Sequence, residues 1–389
     1  MSFSVYDSHV ALCNNERVII HNVDNNSENV IALPDLETNR KIDVHNNVDI
    51  ETYHMITSVT FSDDGRYFAV CTNRKQLCLY ETRNSRLLSN RTLARAASKV
   101  RFSPNNDIIV ADKAGDAYLF STNGTCSPTE SGTLILGHLS MLLDVLITED
   151  MKYILTTDRD EKIRVSMFPN CYNIMSYCLG HAKFVTNISE LPHKKNVLIS
   201  CGGDGVFKLW DYKCGTELLS VNFSDKIPKC DIEKFNQDLQ DYHYESINIL
   251  PVKHLRVSYL SKIESLVIIS FYNSKVLLVF NITSNIETQF EANYLESITI
   301  EGEPIECLLY KQDLWILIDA GLQVYKFENN RFVSHNTLNH AIKHLNESWE
   351  ILKNTIVKQN LLPILYKRKY DNVQEYLERK KIRLTNNIE

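Results

Sequence analysis

The stretch TLILGHLSMLLDVLITEDMKYILTTDRDEKIRVSMFPNCYNIMSYCLGH, Thr133 to His181, decides the fold. Its Gly-His pair at Gly137-His138 returns at Gly180-His181, a period of 43 residues. That is the length at which four-stranded propeller blades repeat. Between the two marks, runs rich in Val, Ile, Leu, Tyr and Thr are separated by polar turns, the pattern of successive strands. The turn Asp158-Arg159-Asp160-Glu161 leads into Lys162-Ile163-Arg164-Val165-Ser166, where charged and apolar residues alternate. Side chains on a strand point to opposite faces in turn, so Ile163 and Val165 are expected inside and Lys162 and Arg164 outside.

The same order of strands and turns extends in both directions. Upstream lie Ser98 to Thr122, Ile56 to Thr82 with an Asp-Asp-Gly turn, and three short strand-like runs between Phe3 and Leu36. The polar segment Asp35 to Glu51 reads as a loop. Downstream, His181 to Val221 is the most regular unit, Asp225 to Tyr244 reads as a long polar loop, and Leu250 to Phe290 and Ile305 to Phe332 supply two further units. The count is seven units. The sequence therefore predicts an all-β fold, a seven-bladed WD40 β-propeller over residues 1–337, because a single blade cannot bury both its faces. From Leu338 the period changes. Leu338, Ile342, Leu345, Trp349, Leu352 and Ile356 fall at three- and four-residue steps, and Pro363 stands where a second helix would begin. Residues 338–389 thus read as a C-terminal helical extension.

A hydrophobic share of 44% is enough for a packed core. The ten cysteines contain no C-x-x-C pair, and no secretory leader is evident at Met1-Ser2-Phe3-Ser4. They read as free thiols of a cytosolic or nuclear protein. Charged residues interrupt every apolar run before the ~18 residues of a membrane span, so no membrane partner is expected. The formal net charge of -6 argues against a whole surface devoted to nucleic acid. RNA contact must be local, or be supplied by a partner.

His181, Ser200, Asp204 and Trp210 have the spacing of the WD-repeat tetrad, a buried hydrogen-bond chain linking neighbouring strands. Ser, His and Asp also evoke a hydrolase triad, but the indole as fourth member favours structure over catalysis. The preceding unit keeps His138, Thr156 and Asp160, with Ser166 in the Trp position. His335, His340 and His344 lack the further ligands of a zinc helix, so no metal is expected. No phosphate-binding glycine loop is present, and Gly202-Gly203-Asp204-Gly205 is a turn. Two charged features remain. The turn from Asp158 to Arg164 holds six charges in seven residues and reads either as a solvated face or as a surface for a complementary partner. The tail carries Lys367, Arg368, Lys369, Arg379, Lys380, Lys381 and Arg383 against Asp371, Glu375 and Glu378. It reads either as a solvated helix end or as a strip that contacts phosphates, with Lys367, Arg368 and Lys369 as candidate RNA contacts.

GHLSMLLDV, ILTTDRDEKIRVS, YCLGHAKFV and ADKAGDAYLF, together with LYKRKYDNVQEYLERK in the tail, resemble the non-catalytic WD-repeat subunit of the tRNA guanine-N7 methyltransferase, the family that includes the insect Wuho proteins. The specific matches cover Ala111 to Trp210 and part of the tail. The resemblance implies a scaffold that does no chemistry and forms a heterodimer with a catalytic methyltransferase subunit. That partner would hold S-adenosylmethionine and methylate a guanine in the tRNA variable loop, with tRNA bound mainly through it. The resemblance also implies that Arg164, with Asp160, Glu161 and Lys162, meets acidic residues of that subunit, and that the chain resides in the nucleus, with the cytoplasm as a second compartment. Two rival uses share the fold. A cullin ubiquitin-ligase adaptor often carries Trp-Asp-x-Arg, whereas Trp210-Asp211-Tyr212-Lys213 ends in Lys. A nuclear DNA-repair or chromatin scaffold would use a similar surface.

Overall fold

The computed structural model describes residues 3–14, 17–34, 55–122, 131–241, 244–286, 289–352 and 365–366. Its strands make seven antiparallel sheets of four, each built from four consecutive strands. The propeller expected from the 43-residue period is therefore present. The first strand of each blade packs on the first strands of its neighbours, so these strands line the axis. Second strands such as Tyr153–Asp158 and Val197–Gly202 are buried along their whole length. That explains why they read as nearly unbroken apolar runs.

Blade one takes all four of its strands from Phe3–Tyr6 through Ser27–Ala32. It holds one strand more than the three runs read from the sequence, because Asp7 adopts a left-handed φ of 50° and cuts the short Phe3–Tyr6 strand from the next. The ring closes without strand exchange. Tyr6 of blade one packs edge-on against Tyr310 of blade seven with ring centroids 6.1 Å apart.

Polar groups also join the blades near the axis. Arg101 of blade three chelates Asp144 of blade four through Nε and Nη2 at 3.0 and 2.6 Å. Its Nη2 also donates to the Ile188 carbonyl of blade five at 2.9 Å. Burial pushes the Asp144 carboxyl up, but Arg101 and Lys99 outweigh it and hold it below the usual range. Arg256 and Glu306 join blades six and seven at 2.7 Å.

Because strands alternate in direction, the turns between second and third strands and the connections between blades share one face, here the upper face. The segment Asp225 to Tyr244, expected as a loop, instead carries helix α1, Lys229–Asp241, on that face. Phe235 and Leu239 are buried in the core of blades five and six, with Ile232 packed beside them. These widely spaced apolar residues are enough to dock a helix whose other positions are polar. The C-terminal extension forms α2, Asn336–Ala341, and α3, Lys343–Leu352. Ile342, Leu345 and Trp349 bury against Phe3, Leu322 and Val324 of blades one and seven. The helix expected after Pro363 lies outside the described residues apart from Leu365-Tyr366, and the loop expected from Asp35 to Glu51 lies outside them entirely. The described cysteines are all free thiols.

Candidate partner-binding site

In blade five the indole Nε1–H of Trp210 donates to Ser200 Oγ at 2.8 Å. The Ser200 hydroxyl meets His181 Nε2 at 2.7 Å, and His181 Nδ1 meets Asp204 Oδ2 at 2.8 Å. A neutral imidazole with its proton on Nδ1 gives every one of these atoms a partner. Burial raises the Asp204 carboxyl, yet the hydrogen bonds from His181 and from backbone amides bring it below its usual range. Ser200 is fully buried and capped by the indole, so it offers no nucleophile to solvent.

Blade four repeats the motif with substitutions, one of which corrects the sequence reading. His138 Nε2 meets Thr156 Oγ1 at 2.8 Å, but Nδ1 meets Asp158 Oδ2, not Asp160. The position two residues after the hydroxyl is Gly202 in blade five, where an added Cβ would lie 1.9 Å from the Phe184 carbonyl oxygen. No side chain fits there, so the carboxylate comes from Asp204, farther round the turn. In blade four the equivalent position is Asp158 itself, whose carboxylate reaches the imidazole first. Asp160 becomes a turn residue whose amide donates to Asp158 Oδ1 at 2.8 Å.

Ser166, in the Trp position, is fully buried and accepts from Arg164 Nε at 2.9 Å. Arg164 is on the third strand of blade four, Ile163–Met167, between the fully buried Ile163 and Val165. Its guanidinium does not extend freely outward. Nη1 donates to the Gly137 carbonyl and Nη2 to the Cys171 carbonyl, each at 3.1 Å. All three acceptors are neutral, and among the described residues no carboxylate pairs with Arg164. The group is thus held rigid with its charge uncompensated and two N–H bonds unused. Glu161, at a left-handed φ of 64°, and Lys162 are exposed at the tip of the adjoining turn, and Asp160 is half-buried.

The fourth strand of blade four, Ile174–Cys178, adds a feature that alternation in the third strand did not signal. Of the fourteen large apolar side chains exposed among the described residues, eight lie between Leu134 and Leu179. Tyr172, Ile174, Met175, Tyr177 and Leu179 belong to this row, and Tyr177 is paired directly with Arg164. A signal existed, because IMSYC on an outer strand lacks a polar face. Exposed apolar side chains clustered on one outer strand are the kind of surface that protein contacts use.

The remaining candidates are less informative. His335 caps α2 by accepting from the Leu338 amide, and among the described residues no cluster fit for a metal ion is found. Lys367, Arg368 and Lys369 lie outside the described residues, but Leu365 and Tyr366 immediately before them are placed. Tyr366 sits on the upper face against Phe184, with centroids 5.4 Å apart and rings at 87°.

Comparison with known proteins gives a consistent picture. The family described as the tRNA methyltransferase TRM82 WD40 domain matches residues 21–131 and 121–329. The chain is 31% identical over 333 residues to the mouse tRNA (guanine-N(7)-)-methyltransferase non-catalytic subunit WDR4, covering 84% of this chain and 76% of that protein. It is 33% identical over 345 residues to the corresponding subunit wuho of Drosophila pseudoobscura pseudoobscura, covering 85% and 78%. Among solved structures, a chain of the mitotic checkpoint complex superposes with a TM-score of 0.63 at 14% identity, covering 84% of this chain and 89% of its own. That likeness concerns the fold alone.

Proposed function

Because this chain belongs to the family of the tRNA methyltransferase TRM82 WD40 domain, whose curated relatives are named non-catalytic subunits, we propose that it binds and stabilises the catalytic subunit of a tRNA guanine-N7 methyltransferase. The chain is itself non-catalytic. The partner carries S-adenosylmethionine and the reacting guanine of the tRNA. This chain supplies a rigid surface that orders the partner's loops and lowers the cost of reaching their productive arrangement.

The observation that carries this reading is the state of Arg164. A guanidinium locked by three neutral acceptors, with no carboxylate partner among the described residues, is ready to take one from outside. Glu161 and Lys162 at the adjacent tip, with Asp160 beside them, set the charge pattern around it, and the apolar row on Ile174–Cys178 supplies area to be buried. Polar selection beside an apolar core is the anatomy of a specific protein interface.

The test is co-purification of Arg164→Glu with the catalytic subunit. The variant is expected to lose the partner while its thermal unfolding stays close to wild type. Wild-type recovery of the partner would refute the assignment of this edge. Loss of folding would call for Lys162→Glu as the second variant, because Lys162 is exposed.

A further inference from the structure

Blades four and five are two copies of one repeat, and their third strands put a cation at the same place. Arg164 pairs across the sheet with Thr156, as Lys208 pairs with Ser200. Thr156 and Ser200 are the hydroxyls bonded to His138 and His181. Both third strands then shift register against their fourth strands at the same step, Val165 to Ser166 and Leu209 to Trp210. The correspondence therefore runs position by position. Ser166 stands for Trp210, Ile174 for Glu217 and Tyr177 for Ser220.

The two cations meet different surroundings. Lys208 is buried, and its Nζ donates to Glu217 Oε2 at 2.7 Å and to Ser220 Oγ at 3.0 Å, so blade five neutralises its own cation. In blade four the position that supplies Glu217 holds the hydrocarbon of Ile174, and Tyr177 stands opposite Arg164. Residues paired across strands share a face, so both side chains flank the guanidinium, and both are exposed. The Gly-His pairs fix where an acid would sit. Glu217 Oε2 lies 3.2 Å from where a Cβ on Gly180 would be. Gly137 is the glycine of the blade-four pair, and Arg164 Nη1 donates to its carbonyl at 3.1 Å. The guanidinium thus stands beside the spot that corresponds to the Glu217 carboxylate. Asp116 of blade three also borders Gly137, but the three bonds of Arg164 go to neutral atoms.

We propose that Ile174 is a specificity-determining residue: by withholding the carboxylate that Glu217 supplies in blade five, it reserves Arg164 for an acidic side chain of the catalytic subunit, seated beside Gly137. This rests on the reading that the chain binds a methyltransferase subunit. Blade five itself shows that an Asp or Glu side chain fits this place in the repeat, since Glu217 fills it there. The exposed Ile174 and Tyr177 on either side suit a protein surface, because interfaces with nucleic acid are more polar and more strongly charged.

The experiment compares Ile174→Glu with Ile174→Gln in the full-length chain, measuring affinity for the catalytic subunit and the crystal structure of the free Ile174→Glu chain. Both changes remove the same apolar side chain, and only one adds charge. The new carboxylate should lie within about 3 Å of the Arg164 guanidinium, the distance of a charge-assisted hydrogen bond. Ile174→Glu should then bind the subunit about tenfold or more weakly than Ile174→Gln, because Arg164 is already paired when the partner arrives. Ile174 is 46% exposed, so the fold should tolerate both changes. Ile174→Asp is the second variant if the longer side chain disturbs the strand, with the same results expected. Equal affinities of Ile174→Glu and Ile174→Gln overturn the inference. So does a carboxylate that turns away from Arg164, since weaker binding would then be repulsion alone. Loss of tRNA affinity with the subunit still bound at the Ile174→Gln level would make Arg164 a phosphate contact and overturn it as well. Failure of the wild-type chain to bind the subunit is seen in the first control and removes the parent reading together with this one.

Discussion

Asn346 grips both backbone groups of Leu322: its Oδ1 accepts from the Leu322 amide at 2.7 Å, and its Nδ2 donates to the Leu322 carbonyl at 3.0 Å. Asn339 does the same for Val324, at 2.8 and 2.9 Å. The fourth strand of blade seven, Arg331–Ser334, is too short to pair with this part of Gly321–Glu328, so the two asparagines of the helical extension cover the open edge. Asn346→Ala would leave an amide and a carbonyl without protein partners. A loss of about 2 kcal/mol is expected, since an unmade hydrogen bond at a buried group costs ~1–3 kcal/mol. Hydrogen exchange at the Leu322 amide should accelerate in parallel. An unchanged unfolding midpoint with unchanged protection would mean that the helices merely rest on blade seven.

The carboxylate swap in blade four gives a sharper comparison. Asp158→Ala removes the acceptor of the buried His138 Nδ1–H, at an expected cost of about 1–3 kcal/mol. Asp160→Ala, which leaves the Asp158 carboxylate on His138 in place, should cost clearly less. Urea unfolding of the two variants decides the matter, and a larger loss for Asp160→Ala would restore the spacing inferred from blade five.

What the sequence revealed and what it hid follow one physical line. The repeat period, the buried Ile163 and Val165, and the apolar helix positions Ile342, Leu345 and Trp349 were legible because they depend on periodicity alone. The choice between Asp158 and Asp160 was not, because it depends on whether a turn has room for a Cβ, which Gly202 signals only after the approach of Phe184 is known. Helix α1 was hidden by its polar composition, and its docking rests on Phe235, Leu239 and the partly buried Ile232. Alternation placed Arg164 on the outward face, but its return to the Gly137 and Cys171 carbonyls involves residues 27 and 7 positions away.

Acid should destabilise the propeller partly through His254. This imidazole is buried between Ser270 Oγ at 2.8 Å and Glu306 Oε1 at 3.1 Å, with Arg256 and Lys253 nearby. Burial pushes it down to about 4, against the pull of Glu306. The unfolded histidine titrates near ~6.5, so between these values the unfolded state binds more protons and stability falls as pH falls. His21 and His193, also lowered by burial, act with the same sign. Asp63, Glu190 and Asp313 are raised by burial and act with the opposite sign. His254→Asn isolates the effect of one group. It should be less stable than wild type at pH 7, with the gap narrowing toward pH 5, and a gap that stays constant or widens in urea titrations at the two pH values would show that His254 is not held neutral by the fold.

Arg164→Lys separates charge from geometry at the proposed interface. Lysine keeps the positive charge but cannot reach Ser166 Oγ and the Gly137 and Cys171 carbonyls together, because its ammonium is a single point. Long-range attraction to an acidic partner is therefore retained, and the association rate should stay within about threefold of wild type. Dissociation should be faster by about tenfold, the equivalent of ~1.4 kcal/mol, since the pre-set fork that receives the carboxylate is gone. The propeller has little reason to unfold, because the Gly137 carbonyl is exposed to water and the lysine ammonium can still donate to one of the two buried acceptors, Ser166 Oγ or the Cys171 carbonyl. Surface plasmon resonance with the catalytic subunit separates the two rates. If Arg164→Lys dissociates as slowly as wild type, the partner reads only the charge at this position, and the three-point anchoring of the guanidinium serves the blade rather than the interface.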